Sequence, residues 1–125
     1  MNRQLARLMI SLCALTWIGT AARAQDVVKV DPKEYKVEFE NDQVRVVRGT
    51  RAPHSKVPMH EHPDYVVVYL TDVHQKVTAA DGTVTEATRK AGEVAFNKGL
   101  KHAEESLLDQ PVEVILVELK TKPAP

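Results

Sequence analysis

His60 and His62 stand one residue apart in Val57-Pro58-Met59-His60-Glu61-His62-Pro63-Asp64-Tyr65, and a run rich in β-branched and aromatic residues follows to Leu70. Side chains alternate between the faces of a strand, so both imidazoles project the same way. Two imidazoles on one face can reach a single ion at about 2.0–2.1 Å, the usual zinc–nitrogen distance. One more ligand would complete a facial site. His102, which follows a loop containing Gly99 and opens another strand-like run, supplies it. The chemistry in question is coordination of one divalent transition metal by His60, His62 and His102. A His-x-His pair alone also suits a polar strand face exposed to water; the buried strand that follows gives it more meaning here.

The other polar residues fall around this set. His54 lies in a loop beside Pro53 and reads as a solvated histidine, and His74 faces water if Val73 and Val77 face the core. Glu61 alternates away from both ligand histidines, and Asp64 sits in a turn. Glu104 shares a face with His102 and Ser106 if their strand is regular. It would then place a carboxylate beside the metal, as a fourth ligand or general base; a bulge after His102 would turn it outward. Tyr65 and Glu104 are thus the candidate catalytic proton donors or acceptors.

The elements that must position these residues are strands. Tyr35 to Glu40 alternates strictly and reads as half-buried. Gln43 to Arg51, the histidine strand, and Tyr65 to Leu70 follow, the last a continuous apolar run as expected of a strand covered on both faces. Val73 to Ala79 and Thr83 to Thr88 flank Asp81-Gly82, a strong hairpin signal. Val94 to Phe96, His102 to Leu107 and Val112 to Leu119 complete the set, the last the best candidate for a central strand. Val27 to Val30 reads as a first strand or a loose arm. With turn signals between these short runs and no amphipathic helix, the pattern predicts an all-β antiparallel sandwich or barrel in one domain.

The N-terminus is different. Arg3 and Arg7 precede an apolar run from Leu8 to Ile18, and Ala22-Arg23-Ala24 closes it. That is the form of a secretory signal peptide, here a helix over residues 1–24. Eleven apolar residues at 1.5 Å each cannot span ~30 Å of hydrocarbon. Cleavage after Ala24 would place the protein in the periplasm or outside the cell. Residues 25–42 are then an N-terminal arm and first strand, 43–120 the β-sandwich or barrel, and 121–125 a polar tail. Cys13, the only cysteine, would be lost, so any metal must be held by nitrogen and oxygen ligands. Three arginines leave with the leader, so 14 basic residues face 17 acidic ones. That balance gives no reason to expect nucleic acid or an anionic membrane as partner.

His60-Glu61-His62 followed by Pro63-Asp64-Tyr65, then Gly92-Glu93-Val94-Ala95-Phe96, a loop and His102, are the two halves of a known pattern. On these residues the chain resembles the cupin superfamily, specifically its small single-domain members with a His-x-His-Pro-Asp opening. The resemblance runs roughly from Gln43 to Leu119. It implies a jelly-roll β-barrel with the histidines projecting into its centre. Several positions depart from the pattern. His54 replaces a glycine, Val66 replaces a metal-binding glutamate, and Val73 a closing glycine. Lys98 replaces a proline and Ser106 an asparagine, and the Gly92–His102 spacing is one residue short.

Three neutral histidines without the glutamate leave three open positions on an octahedral ion and a site charge of +2. Such a site favours Zn, Fe, Ni or Cu over Mg or Ca. Val66 in place of the glutamate predicts an apolar wall. The expected function is an exported cupin binding one such ion and a small-molecule ligand or substrate, with an oxygen-dependent or isomerase-type reaction implied by the resemblance. Two alternatives stand beside it: a non-catalytic binding or sensing module with a structural metal, and a metal-free barrel used to form a homodimer.

Overall fold

The computed structural model describes residues 25–121; the signal-peptide reading of residues 1–24 lies outside the described residues, as does most of the polar tail. Val27–Val30 forms a single helical turn, α1, rather than a strand or a loose arm. The reason is local: the Asp26 carboxylate accepts from the Val28 N–H at 3.0 Å, satisfying a donor at the turn's start. The segment is pinned, with Val27 fully buried and the Gln25 carbonyl accepting from the Glu61 N–H at 3.1 Å.

Nine strands follow among the described residues: β1 Tyr35–Glu40, β2 Val44–Arg51, β3 Lys56–His62, β4 Tyr65–Tyr69, β5 Val73–Ala79, β6 Val84–Arg89, β7 Val94–Asn97, β8 Leu100–Ser106 and β9 Val112–Leu119. They form two antiparallel sheets, ordered β1-β2-β9-β4-β7 and β3-β8-β5-β6. The expected jelly roll takes the form of two antiparallel sheets, which no ladder among the described residues joins into a closed barrel. The ladders stop at β1 and β7 in one sheet and at β3 and β6 in the other. From β2 onward the chain changes sheet at nearly every loop. That route lays β3 beside β8, with His60 directly opposite His102.

The core lies between the sheets. Val47, Val57, Val67, Val73, Val112 and Leu116 fill it, each contributing about 1.5–3 kcal/mol by burial. β9 is the central strand of its sheet, as its valine-rich sequence predicts, with Val112, Val114, Leu116 and Glu118 buried and the residues between them only partly so. The hairpin forms at Asp81-Gly82, where Gly82 adopts φ +87°.

Two strand readings need correction. β1 buries only Tyr35; Val37 and Phe39 are 42% and 53% exposed. As an edge strand it pairs on one side only among the described residues, and a register shift between Val37 and Phe39 sets Phe39 opposite Val46. Nor is β4 covered on both faces. Tyr65 and Val67 are buried, but Val66 and Val68 lie on the outer face, which no second layer covers among the described residues. Pairing aligns Phe39, Val46, Val117, Val66 and Phe96 in one apolar row across that face.

Gly49 in β2 admits the Tyr35 ring: a Cβ there would fall 2.7 Å from Tyr35 Cε1 and 3.1 Å from Val114 Cγ2. Gly49→Ala is accordingly expected to cost about 1–3 kcal/mol by overpacking, read as a lower denaturant midpoint. An unchanged midpoint would show that the ring can move aside freely.

Candidate metal centre

His60 and His62 project inward from β3, and His102 from the facing position on β8; all three are buried. A bulge makes this possible. Val57 pairs with Glu104 and His60 with His102, so β3 carries one residue more than β8 across Pro58-Met59. Simple alternation would put Val57 and His60 on opposite faces; the extra residue brings both inside. Proline, which has no N–H to give the ladder, is suited to that place.

The three rings cluster edge to face. Their centroids are 4.6, 4.8 and 5.5 Å apart and their planes cross at 65°, 88° and 86°. One nitrogen from each lies within 4.8 Å of the others. Two nitrogens on one tetrahedral ion at that bond length stand about 3.4 Å apart, so the rings would have to draw together to share it. Hydrogen bonds on the far side of two rings decide which nitrogens face inward. His60 Nδ1 lies 2.7 Å from the Pro58 carbonyl and His62 Nδ1 2.9 Å from Glu118 Oε1. Both partners are acceptors, so both Nδ1 atoms carry the hydrogen and leave the Nε2 lone pairs free. The Nε2 atoms of His60 and His102 are buried and have no hydrogen-bond partner. Unpaired buried nitrogens of this kind are expensive unless something binds them.

Burial holds the pKa of His60 below the usual histidine value and brings that of His102 down to about 4. Both rings are therefore neutral near pH 7, the form that ligates metal. Glu118 is held ionised: burial raises its pKa, but the bonds from His62 and from Arg45 Nε, at 2.7 Å, outweigh that. Arg45 also pairs with Asp26, so a relay of charged groups runs from the N-terminal segment to the His62 ring. Glu118→Gln is expected to weaken zinc binding about 10–100-fold, measured by chelator competition. Unaltered affinity would mean that the His62 ring needs no partner.

Glu104 does line the cavity, 4.0 Å from His102 Nε2, so β8 has no bulge after His102. Burial raises its pKa, yet His102, Arg51 and the Gln75 amide together bring it below the usual range. Arg51 is the lasting influence, because His102 is neutral near pH 7. Tyr65 also lines the cavity, its ring 4.8 Å from that of His62. Burial raises its pKa, so the hydroxyl stays protonated and is a donor. Val66 does not form the expected apolar wall; it points away, and Val67, Val73, Val114 and Leu116 line the cavity instead. His54 and His74 sit outside, paired with Asp109 and Glu86, and Glu61 is exposed.

Arg51, Gln75, Glu118 and Tyr35 are site residues that motif reasoning passed over. The signal for three of them was present as period-two alternation. Glu118 is in phase with Val112, Val114 and Leu116, Arg51 with Val47 and Gly49, and Gln75 with Val73.

No family model and no curated protein matches the chain. Solved structures are similar. A cupin domain from Bordetella pertussis Tohama I superposes with a TM-score of 0.65 at 22% identity, covering 70% of this chain and 92% of that one. A cupin superfamily protein from Desulfitobacterium hafniense DCB-2 gives 0.53 at 16% identity, covering 70% and 76%. The polyketide cyclase RemF from Streptomyces resistomycificus gives 0.53 at 19% identity, covering 74% and 69%. The chain has the fold of a small cupin domain. Three of its histidines converge where they could hold a metal ion.

Proposed function

We propose that this cupin binds one divalent transition metal, Zn, Fe, Ni or Cu, through the Nε2 atoms of His60, His62 and His102, and acts on a small molecule in the cavity beside it. The observation that carries the reading is the pair of buried, partnerless Nε2 atoms on facing strands, with the third imidazole fixed beside them by Glu118. The donor set fits such an ion, since neutral imidazole suits these metals. When bound, the ion would supply Lewis acidity toward a coordinated oxygen. The chain's own groups divide the polar work: the Glu104 carboxylate accepts a proton, and the Tyr65 hydroxyl, which burial holds protonated, donates a hydrogen bond. The export reading belongs to the same proposal; the secreted protein then begins at Gln25, which N-terminal sequencing checks.

Metal analysis of protein purified without a histidine tag tests the reading. About one ion per chain is expected, and its removal by chelator should be reversed by zinc. A chain that takes up no metal after dialysis against zinc would end it. Oxygen uptake or turnover across a panel of small thiols, diketones and phenolics separates an enzyme from a binding module.

A further inference from the structure

Arg51 ends β2 on the face that lines the cavity and is 3% exposed. Its Nη1 donates to Gln75 Oε1 at 2.7 Å and lies 3.4 Å from Glu104 Oε2. The Gln75 amide donates to Glu104 Oε1 at 2.7 Å. One end of the guanidinium is thereby fixed. The other edge is free: Nε and Nη2 are both closed off from solvent, and neither has a hydrogen-bond partner. A guanidinium keeps its charge, and its five donors have a rigid geometry. Nε and Nη2 present two parallel N–H groups, the arrangement that matches the two oxygens of a carboxylate.

We propose that the cavity between the sheets binds a short 2-oxo or 2-hydroxy carboxylate, its carboxylate oxygens accepting from Nε and Nη2 of Arg51. The cavity, about 40 Å³, admits only a few heavy atoms. Its walls at Val67, Val73, Val114 and Leu116 suit a short hydrocarbon part. Charge agrees with an anion. Arg51 is offset by Glu104 and Glu118 by Arg45, so the ion proposed above would leave the cavity positive. The choice of an oxo or hydroxy group rests on that metal reading. His62 and His102 line the same cavity as Arg51, so a ligand that fills it meets the histidines as well.

The test is NMR titration of isotopically labelled protein, metal-free and zinc-loaded, with pyruvate, lactate and their neutral amides. The acids are expected to bind about 10-fold tighter than the amides, and more tightly still with zinc present. Arg51→Lys retains the charge but not the parallel donors, and is expected to weaken the acids about 10-fold while leaving the amides unaffected. Arg51→Gln combined with Glu104→Gln removes both charges together, so no ion is left buried alone, and should bind no acid. Equal binding of acids and amides would overturn the proposal. So would undiminished acid binding in Arg51→Lys, or a zinc-loaded protein that binds neither acid. Arg51-dependent pyruvate binding by a chain that takes up no zinc would retain the carboxylate site and refute the metal reading instead.

Discussion

Replacing His102 with alanine is expected to lower zinc affinity by more than about 100-fold. Loss of a partner that merely orients a ligand costs about 10–100-fold, and loss of a donor nitrogen exceeds it. His60→Ala should behave alike, because the two residues face each other across the β3–β8 ladder and contribute equivalent Nε2 atoms. His60→Ala also loses the Nδ1 bond to the Pro58 carbonyl and empties a fully buried position, so His102→Ala is the cleaner test of the pair. His74→Ala is the control: that ring lies on the surface against Glu86, and zinc affinity should not move. Competition with a chromophoric chelator reads all three. Equal affinity in His102→Ala and His74→Ala would remove His102 from the site.

Glu104→Ala should be among the most destabilising single changes in the chain. It leaves the Arg51 guanidinium buried without its carboxylate and deprives the Gln75 amide of its acceptor. Breaking one partner out of a buried ion pair costs about 3–5 kcal/mol, against a total stability of about 5–15 kcal/mol for a domain. Glu104→Gln retains hydrogen-bonding atoms in place and should cost less. Denaturant unfolding of the metal-free proteins measures both. The folded Glu104→Gln variant can then be titrated with zinc, which asks whether the carboxylate contributes to the ion as well as to the arginine. A denaturant midpoint in Glu104→Ala equal to that of the parent would show that water reaches Arg51 and serves it equally well.

The strands were largely legible because each carries its own signal. Tyr35–Glu40, Val73–Ala79 and Val112–Leu119 have the expected bounds, and β9 is central as its composition predicts. The three histidines were legible for the same reason: residue type and spacing are local. What escaped depends on tertiary partners. Whether the sheets close into a barrel is decided by edges that no single strand encodes. The outward turn of Val66 follows from β4 having a second layer on one side only. Val27–Val30 reads as strand by composition, yet the Asp26 cap makes it a helical turn. The Pro58-Met59 bulge is likewise invisible to a period-two rule, although it is what lets Val57 and His60 share the interior. The inward charges Arg51 and Glu118 are a different case. Alternation marks them, but charged residues in strands ordinarily face water, and only their partners explain the exception.

β9 can be read as two interleaved messages. Val114 and Leu116 line the cavity and Glu118 holds the His62 ring, whereas Glu113, Ile115 and Val117 face the other way. A change at one of the odd-numbered positions can therefore alter how the molecule meets its surroundings while the arrangement of the histidines one residue away stays as it was. Surface and reactivity are free to diverge independently along a single strand.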